Sequence, residues 1–145
     1  MPEIKTLLGF DFGERRIGVA TGQRITGTAS ALATLTSRDG RPDWEGITKL
    51  IEEWRPDAFV VGMPRNMDGS QHELAKRVTR FGNQLHGRYG KPVFFVDERL
   101  SSREAERQLA PGAARRDKGL IDRMAAQVIL QDWLDQQRTN HEQTL

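Results

Sequence analysis

Three β-prone runs crowd the start of the chain, at residues 6–12, 17–21 and 28–35, and the gaps between them are too short to hold a helix. Connections of that length, marked by Gly13, Gly22 and Gly27, join neighbouring antiparallel strands, so the chain must open with a meander. A meander buries one or both faces only if something else covers it, and the rest of the sequence has to supply that cover.

The period then changes. Trp44, Ile47, Leu50, Ile51 and Trp54 recur at helical spacing and stop before Pro56, which predicts a first helix with one apolar stripe. Residues 58–62 form a short apolar run, β-branched at its centre and ended by Gly62-Met63-Pro64, as expected of a buried parallel strand. Ser70 and Glu73 make a capping box for a second helix carrying Leu74, Val78, Phe81 and Leu85 on one side. After Pro92, residues 93–96 predict another buried strand, and Ser101 with Glu104 caps a helix reaching about residue 109. Residues 110–117, with Pro111, Gly112, Arg115 and Arg116, predict a mobile arm that orders on nucleic acid. A last helix is expected from Lys118 to about Gln136, with Leu120, Ile121, Met124, Ala125, Val128 and Ile129 on one face. The expected whole is one α/β domain over residues 1–137, a five-stranded mixed sheet flanked by helices, followed by a polar, frayed tail at 138–145.

Composition narrows the chemistry more than it identifies it. The chain has no cysteine, which excludes disulfides, thiol nucleophiles and Cys-ligated zinc. His72, His86 and His141 are scattered without paired ligand spacing, and Ser101 and Ser102 read as helix caps with no histidine placed to activate them. No apolar run approaches the ~20 residues of a membrane span and the N-terminus lacks a signal-peptide layout, so a cytoplasmic location without membrane contact is expected. The formal charge is only +2, but positive charge concentrates between Arg65 and Lys91, a run that reads first as a solvated helix face.

What remains is carboxylates and arginines at strand ends. The first strand closes on Asp11, the fourth on Gly62-Met63-Pro64-Arg65-Asn66, and the fifth on Asp97-Glu98-Arg99. In a sheet with parallel strands the useful crevice lies beyond their carboxyl ends. The last helix adds Asp122, which at ~100° per residue falls about 20° from Ile129, on the border of its apolar face. Its structural alternative is a rim salt bridge to Lys118 or Arg123. An acid at the end of a buried strand is costly unless a cation offsets it. Carboxylates without sulfur ligands suit Mg²⁺ or Mn²⁺, and two such ions about 4 Å apart can flank a scissile phosphate. Arg15, Arg16, Arg65, Arg99 and Arg103 are candidates for the phosphate path, and Arg115, Arg116 and Lys118 for contacts made by the arm. Whether Asp97 or Glu98 serves stays open on spacing alone, since neighbouring strand residues face opposite sides.

Four ordered motifs resemble the YqgF (RuvX) family of RNase H-like nucleases, variously described as Holliday-junction resolvases and pre-16S rRNA nucleases. They are Gly9-Phe10-Asp11-Phe12-Gly13-Glu14-Arg15-Arg16-Ile17-Gly18, Gly62-Met63-Pro64-Arg65-Asn66, Asp97-Glu98-Arg99-Leu100-Ser101 and Lys118-Gly119-Leu120-Ile121-Asp122-Arg123. The resemblance spans residues 7–134. It implies an RNase H-like fold, a catalytic and metal-binding triad of Asp11, Glu98 and Asp122, and a phosphate-side loop with Arg65 and Asn66. It also implies a nucleic-acid substrate, the 5′ end of a 16S rRNA precursor first and branched DNA second, with ribosomal or processing proteins as partners and a homodimer where a junction is cut. Glu14, Arg15 and Gln23 depart from the residues more usual at those positions, as does the stretch Ala113-Ala114-Arg115-Arg116 with its lack of lysine, and these changes touch substrate grip rather than the acids.

Two other classes compete. Actin-like, sugar-kinase and Hsp70-type ATPases share Asp11, Gly13 and Gly18, but they close two lobes on a nucleotide and 145 residues supply one. A nucleic-acid-binding or ribosome-assembly module without catalysis has the retention of all three acids against it.

Overall fold

In the computed structural model, the structure describes residues 3–64, 69–98, 112, 117 and 119–144. The opening meander is β1 (Thr6–Phe12), β2 (Arg16–Gln23) and β3 (Thr28–Arg38), followed by a two-residue strand β4 (Arg41–Pro42). Then come α1 (Trp44–Trp54), β5 (Ala58–Pro64), α2 (Gly69–Tyr89), β6 (Val93–Glu98) and a long last helix, α3 (Leu120–Thr144). The strands form a single sheet of six in the order β4-β3-β2-β1-β5-β6, antiparallel through the meander and parallel from β1 to β5 to β6.

The sheet therefore has one strand more than the five expected. The addition is β4, folded back on β3 by Asp39 and Gly40, both at positive φ (52° and 74°). An Asp-Gly pair suits a two-residue turn with two left-handed positions, because Gly has no Cβ to clash and Asp tolerates the region.

Strand alternation divides the core. Leu8, Phe10, Phe12, Ile17, Val19, Phe59 and Val61 face α1 and α2, where they meet Ile47, Val78, Phe81 and Leu85. Leu7, Ala20, Ala29, Ala58, Val60 and Val96 face α3 and pack on Ala126, Ile129, Leu130, Trp133 and Leu134. The central strand β1 is thus covered on both sides, and residues Leu7 to Phe10 are fully buried.

Helix boundaries follow local chemistry. Asp43 caps α1 by accepting from the Gly46 amide at 3.0 Å, and Arg55, at φ 47°, closes it with its amide on the Ile51 carbonyl before Pro56. The second helix already includes Gly69 and Ser70, so Ser70 is not its N-cap as the capping box predicted. The third begins two residues later than expected. Asp117 accepts from the Gly119 amide at 3.0 Å and its carbonyl takes the Leu120 amide, so the chain turns before the helix proper. It also runs on to Thr144, through the stretch expected to fray, because residues 137–144 contain neither Gly nor Pro to interrupt the hydrogen-bond ladder. The helix expected from Ser101 to about residue 109 and most of the arm at 110–117 lie outside the described residues.

Candidate active site

The three parallel strands end at one edge of the sheet, and the start of α3 crosses the same edge. Phe10 and Phe12 belong to the core under α1 and α2, so alternation turns Asp11 to the α3 side. Directly opposite Asp11 in the β1–β2 ladder is Gly18. A β-carbon on Gly18 would overlap the Asp122 carbonyl oxygen, so the glycine lets the first turn of α3 lie on the sheet. Asp11 and Asp122 are neighbours of the same glycine for that reason.

The helix start is fixed from β3 as well. Thr34 donates to the Gly119 carbonyl at 2.6 Å, Arg123 reaches the Thr34 hydroxyl at 3.3 Å, and Arg123 also pairs with Asp117. That guanidinium, together with the Gly119 amide, holds the Asp117 carboxyl below the usual carboxylate range. Thr34 can face α3 while Ala29 on the same strand also does because β3 carries a bulge at Leu32, where Val19 pairs Ala33 and Ala20 pairs Ala31. Further along, Gln131 accepts from the Ala29 amide and donates to the Gly27 carbonyl, and Gln127 donates to the Ala29 carbonyl. These bonds set α3 in one register on the sheet.

Asp122 does not take the rim partner its own helix offers. Arg123 is engaged with Asp117, and Asp122 accepts instead from Arg16 Nε at 2.7 Å, a link across 106 residues. Arg16 opens β2, just past the turn that follows Asp11, and its neighbour Arg15 is exposed. Glu14 on that turn pairs with Arg77 of α2. A shallow cleft lined by Phe12, Gly13, Arg15, Arg16, Leu74 and Asp122 opens at this point.

The second acid is placed by strand register. Phe10, Val61 and Phe95 form one row across β1, β5 and β6, and Glu98 lies three residues beyond it at the strand end. Phe94 and Val96 pack on the α3 side, so position 98 belongs to the face of Asp11 and Asp122, and Asp97 to the other. The Glu98 side chain lies outside the described residues, as do Arg65, Asn66, Arg99, Arg103, Arg115, Arg116 and Lys118. Among the described residues, no three His, Cys, Asp or Glu side chains close on a common point. The donors that are described are all oxygens, and the structure already sets a cation, the Arg16 guanidinium, against Asp122. That donor set fits a hard divalent ion, which Asp11, Asp122 and the acid of position 98 would hold.

Among the described residues, no helix is long and apolar enough to cross a membrane. A mixed sheet of this order with acids at its strand ends under a crossing helix is an RNase H-like domain. The chain belongs to the RuvX family, described as Holliday junction resolvase, whose model matches residues 5–136. It is 53% identical over 137 residues to a Nitrosococcus oceani protein named "Putative pre-16S rRNA nuclease", covering 93% of this chain and 90% of that one. A protein of the same name from Aeromonas salmonicida is 47% identical over 135 residues, 92% of this chain and 96% of the other. In fold it resembles T. thermophilus RuvC in complex with a Holliday junction substrate, with a TM-score of 0.52, 14% identity, and 88% of this chain and 92% of that one covered. It also resembles the Fowlpox virus resolvase in complex with Holliday junction DNA, with a TM-score of 0.51, 9% identity, and coverage of 90% and 97%. The chain is accordingly a hydrolase of phosphodiester bonds that acts on nucleic acid.

Proposed function

We propose that this nuclease trims the 5′ end of a 16S rRNA precursor, with Asp11, Glu98 and Asp122 as its catalytic acids and one or two Mg²⁺ or Mn²⁺ ions between them. The observation that carries the proposal is that Asp11 pairs with Gly18 across the ladder while the Asp122 backbone lies against that same glycine and its carboxylate bonds Arg16. The names of the two relatives, each matched over nine-tenths of its length, support the RNA substrate. Bound ions would lower the pKa of an attacking water and stabilise the departing 3′ oxygen. The protein's own part is to hold its acids on one rigid edge and to offer arginine donors to the phosphate on either side of the cut.

The test is cleavage of a structured precursor RNA by Asp11→Asn, Glu98→Gln and Asp122→Asn proteins that remain folded. Each is expected to lose orders of magnitude in rate. Asp97→Asn, on the opposite face of β6, is the control and is expected to keep most of it. Full activity in the Asp122 variant would remove α3 from the site, and activity lost only in the Asp97 variant would reverse the assignment on β6.

The family description favours a second substrate, a four-way DNA junction. Cutting a junction symmetrically requires two copies of the chain. A junction-bound mass corresponding to one protomer, or RNA cleavage without junction cleavage, would decide for the precursor RNA.

A further inference from the structure

A second basic surface lies over the edge of the sheet from the acids, on the side of α1 and α2. Arg77, Arg80, Gln84 and Arg88 follow one another at helical spacing along α2, a stripe ~16 Å long at ~1.5 Å per residue. Facing it is the β3–β4 hairpin, whose Arg41 lines with the stripe a cleft of ≈ 660 Å³ floored by Phe12, Trp44 and Phe81, while Arg38 lines an adjoining cleft with Arg77. Glu14, which is paired with Arg77, and Asp39 are acids on this surface, and Asp39 and Asp43 line a further cleft with Arg38 and Arg41 on the hairpin. Among the described residues no carboxylate pairs with Arg38, Arg41, Arg80 or Arg88.

Two details point to an anion. Arg38 and Arg41 are directly opposite each other in the hairpin, and like charges in that position repel unless a counter-charge sits against them. Arg88 is held by packing instead of by an acid: its guanidinium lies 4.2 Å from the centre of the Trp44 ring, which in turn packs on the Phe81 ring at 5.7 Å and the Tyr89 ring at 6.4 Å. The charge is thus positioned without being neutralised. The cleft is also continuous with the acidic edge, because Arg77 and Phe12 line both it and the cleft that holds Arg16 and Asp122.

We infer that the cleft between α2 and the β3–β4 hairpin binds the phosphate backbone of a single nucleic-acid strand flanking the cut, which reaches it over the turn of Gly13 to Arg16. A stripe of ~16 Å covers about five steps of one strand that keeps its helical stacking rise of ~3.4 Å per step. The planar guanidinium of Arg88 offers a base a stacking surface at the far end. The inference takes its ligand from the nuclease reading and adds where a longer strand goes.

The test is fluorescence anisotropy in EDTA, where nothing is cut, with labelled oligouridine of about 30 and about 8 nucleotides, the shorter close to the footprint of one small binding site. The wild-type chain is expected to bind the long strand more tightly than the short one. In an Arg80→Ala/Arg88→Ala protein that advantage should fall by roughly tenfold, and the log-log salt slope for the long strand should flatten by about 0.7 for each arginine removed. Gln84→Arg, which adds a cation to the stripe, should steepen the slope instead. An unchanged length advantage and slope in both variants overturns the inference, as does polyglutamate displacing the long strand at equal charge concentration. If the wild-type protein cuts precursor RNA yet shows no length advantage, the groove falls and the nuclease reading stands. If it neither cuts nor binds, both fall.

Discussion

Gly18 of β2 touches the backbone of Asp122 so closely that a β-carbon there would overlap the Asp122 carbonyl oxygen. Gly18→Ala must push the start of α3 off the sheet, since backbone cannot rotate aside as a side-chain tip can. It is expected to cost about 1–3 kcal/mol in urea unfolding and to reduce cleavage well beyond that fraction. Gly22→Ala is the comparison. Its new methyl meets the ends of Leu130 and Leu134 at 2.9 and 3.2 Å, which can shift, and the Thr28 carbonyl oxygen only at 3.2 Å, against direct overlap with backbone at Gly18, so both losses should be smaller. Equal effects at the two positions would show that the helix start has no special link to activity.

Arg16 and Asp122 are partly exposed, with 44% and 21% of their side-chain surfaces accessible. A pair of that kind contributes at most about 1 kcal/mol, so Arg16→Ala should unfold at nearly the wild-type urea concentration. Its effect should fall on nucleic acid instead, with slower cleavage and a salt slope flatter by up to one unit. A large stability loss with unchanged binding would make the arginine structural.

Asp57 fastens the start of β1 to the start of β5, accepting from the Lys5 and Thr6 amides at 2.8 and 3.0 Å. Those two amides hold its carboxyl below the ordinary 3.8. Because the folded-state pKa is the lower one, the contribution is complete above about pH 4 and is lost as pH falls through the depressed value. Asp57→Ala is expected to destabilise by about 1–3 kcal/mol at pH 7. Urea unfolding repeated near pH 2.5 should show a narrower gap between the two proteins, and a gap independent of pH would rule out the charged form as the stabilising one.

Gln131 satisfies the Ala29 amide and the Gly27 carbonyl at once. Gln131→Leu keeps the bulk and removes both bonds, which should cost about 1–3 kcal/mol and speed amide exchange at Ala29. Unaltered exchange there would mean that water replaces the glutamine without penalty.

Much of this arrangement could be read from local pattern. The meander, the two parallel strands and the amphipathic helices followed from hydrophobic period and from glycine and proline, because those signals act over a few residues. The four motifs named the family, and the family comparison bears that out. The Asp39-Gly40 turn carries a signal just as local, but the strand it serves is only two residues long and shows no hydrophobic period of its own. The start of α3 is less legible, because Gly119 fits a helical pattern as well as the turn in which its amide bonds the Asp117 carboxylate.

What the sequence determined by itself was the inventory: acids at strand ends, an oxygen-only set of ligands without cysteine, and the pair Arg15-Arg16 just after Asp11. Tertiary structure decided which of them meet. Asp122 pairs with Arg16, 106 residues away, and not with Arg123 beside it, because Thr34 and Asp117 engage Arg123 and Gly18 admits the helix. Strand register alone assigns position 98, and not 97, to the face of Asp11. The arginines of α2 looked like a solvated helix face until a hairpin folded back to oppose them. Local pattern cannot carry such facts, since a contact between distant residues depends on the path of everything between them, and here that path turns on one glycine, one bulge and one two-residue turn.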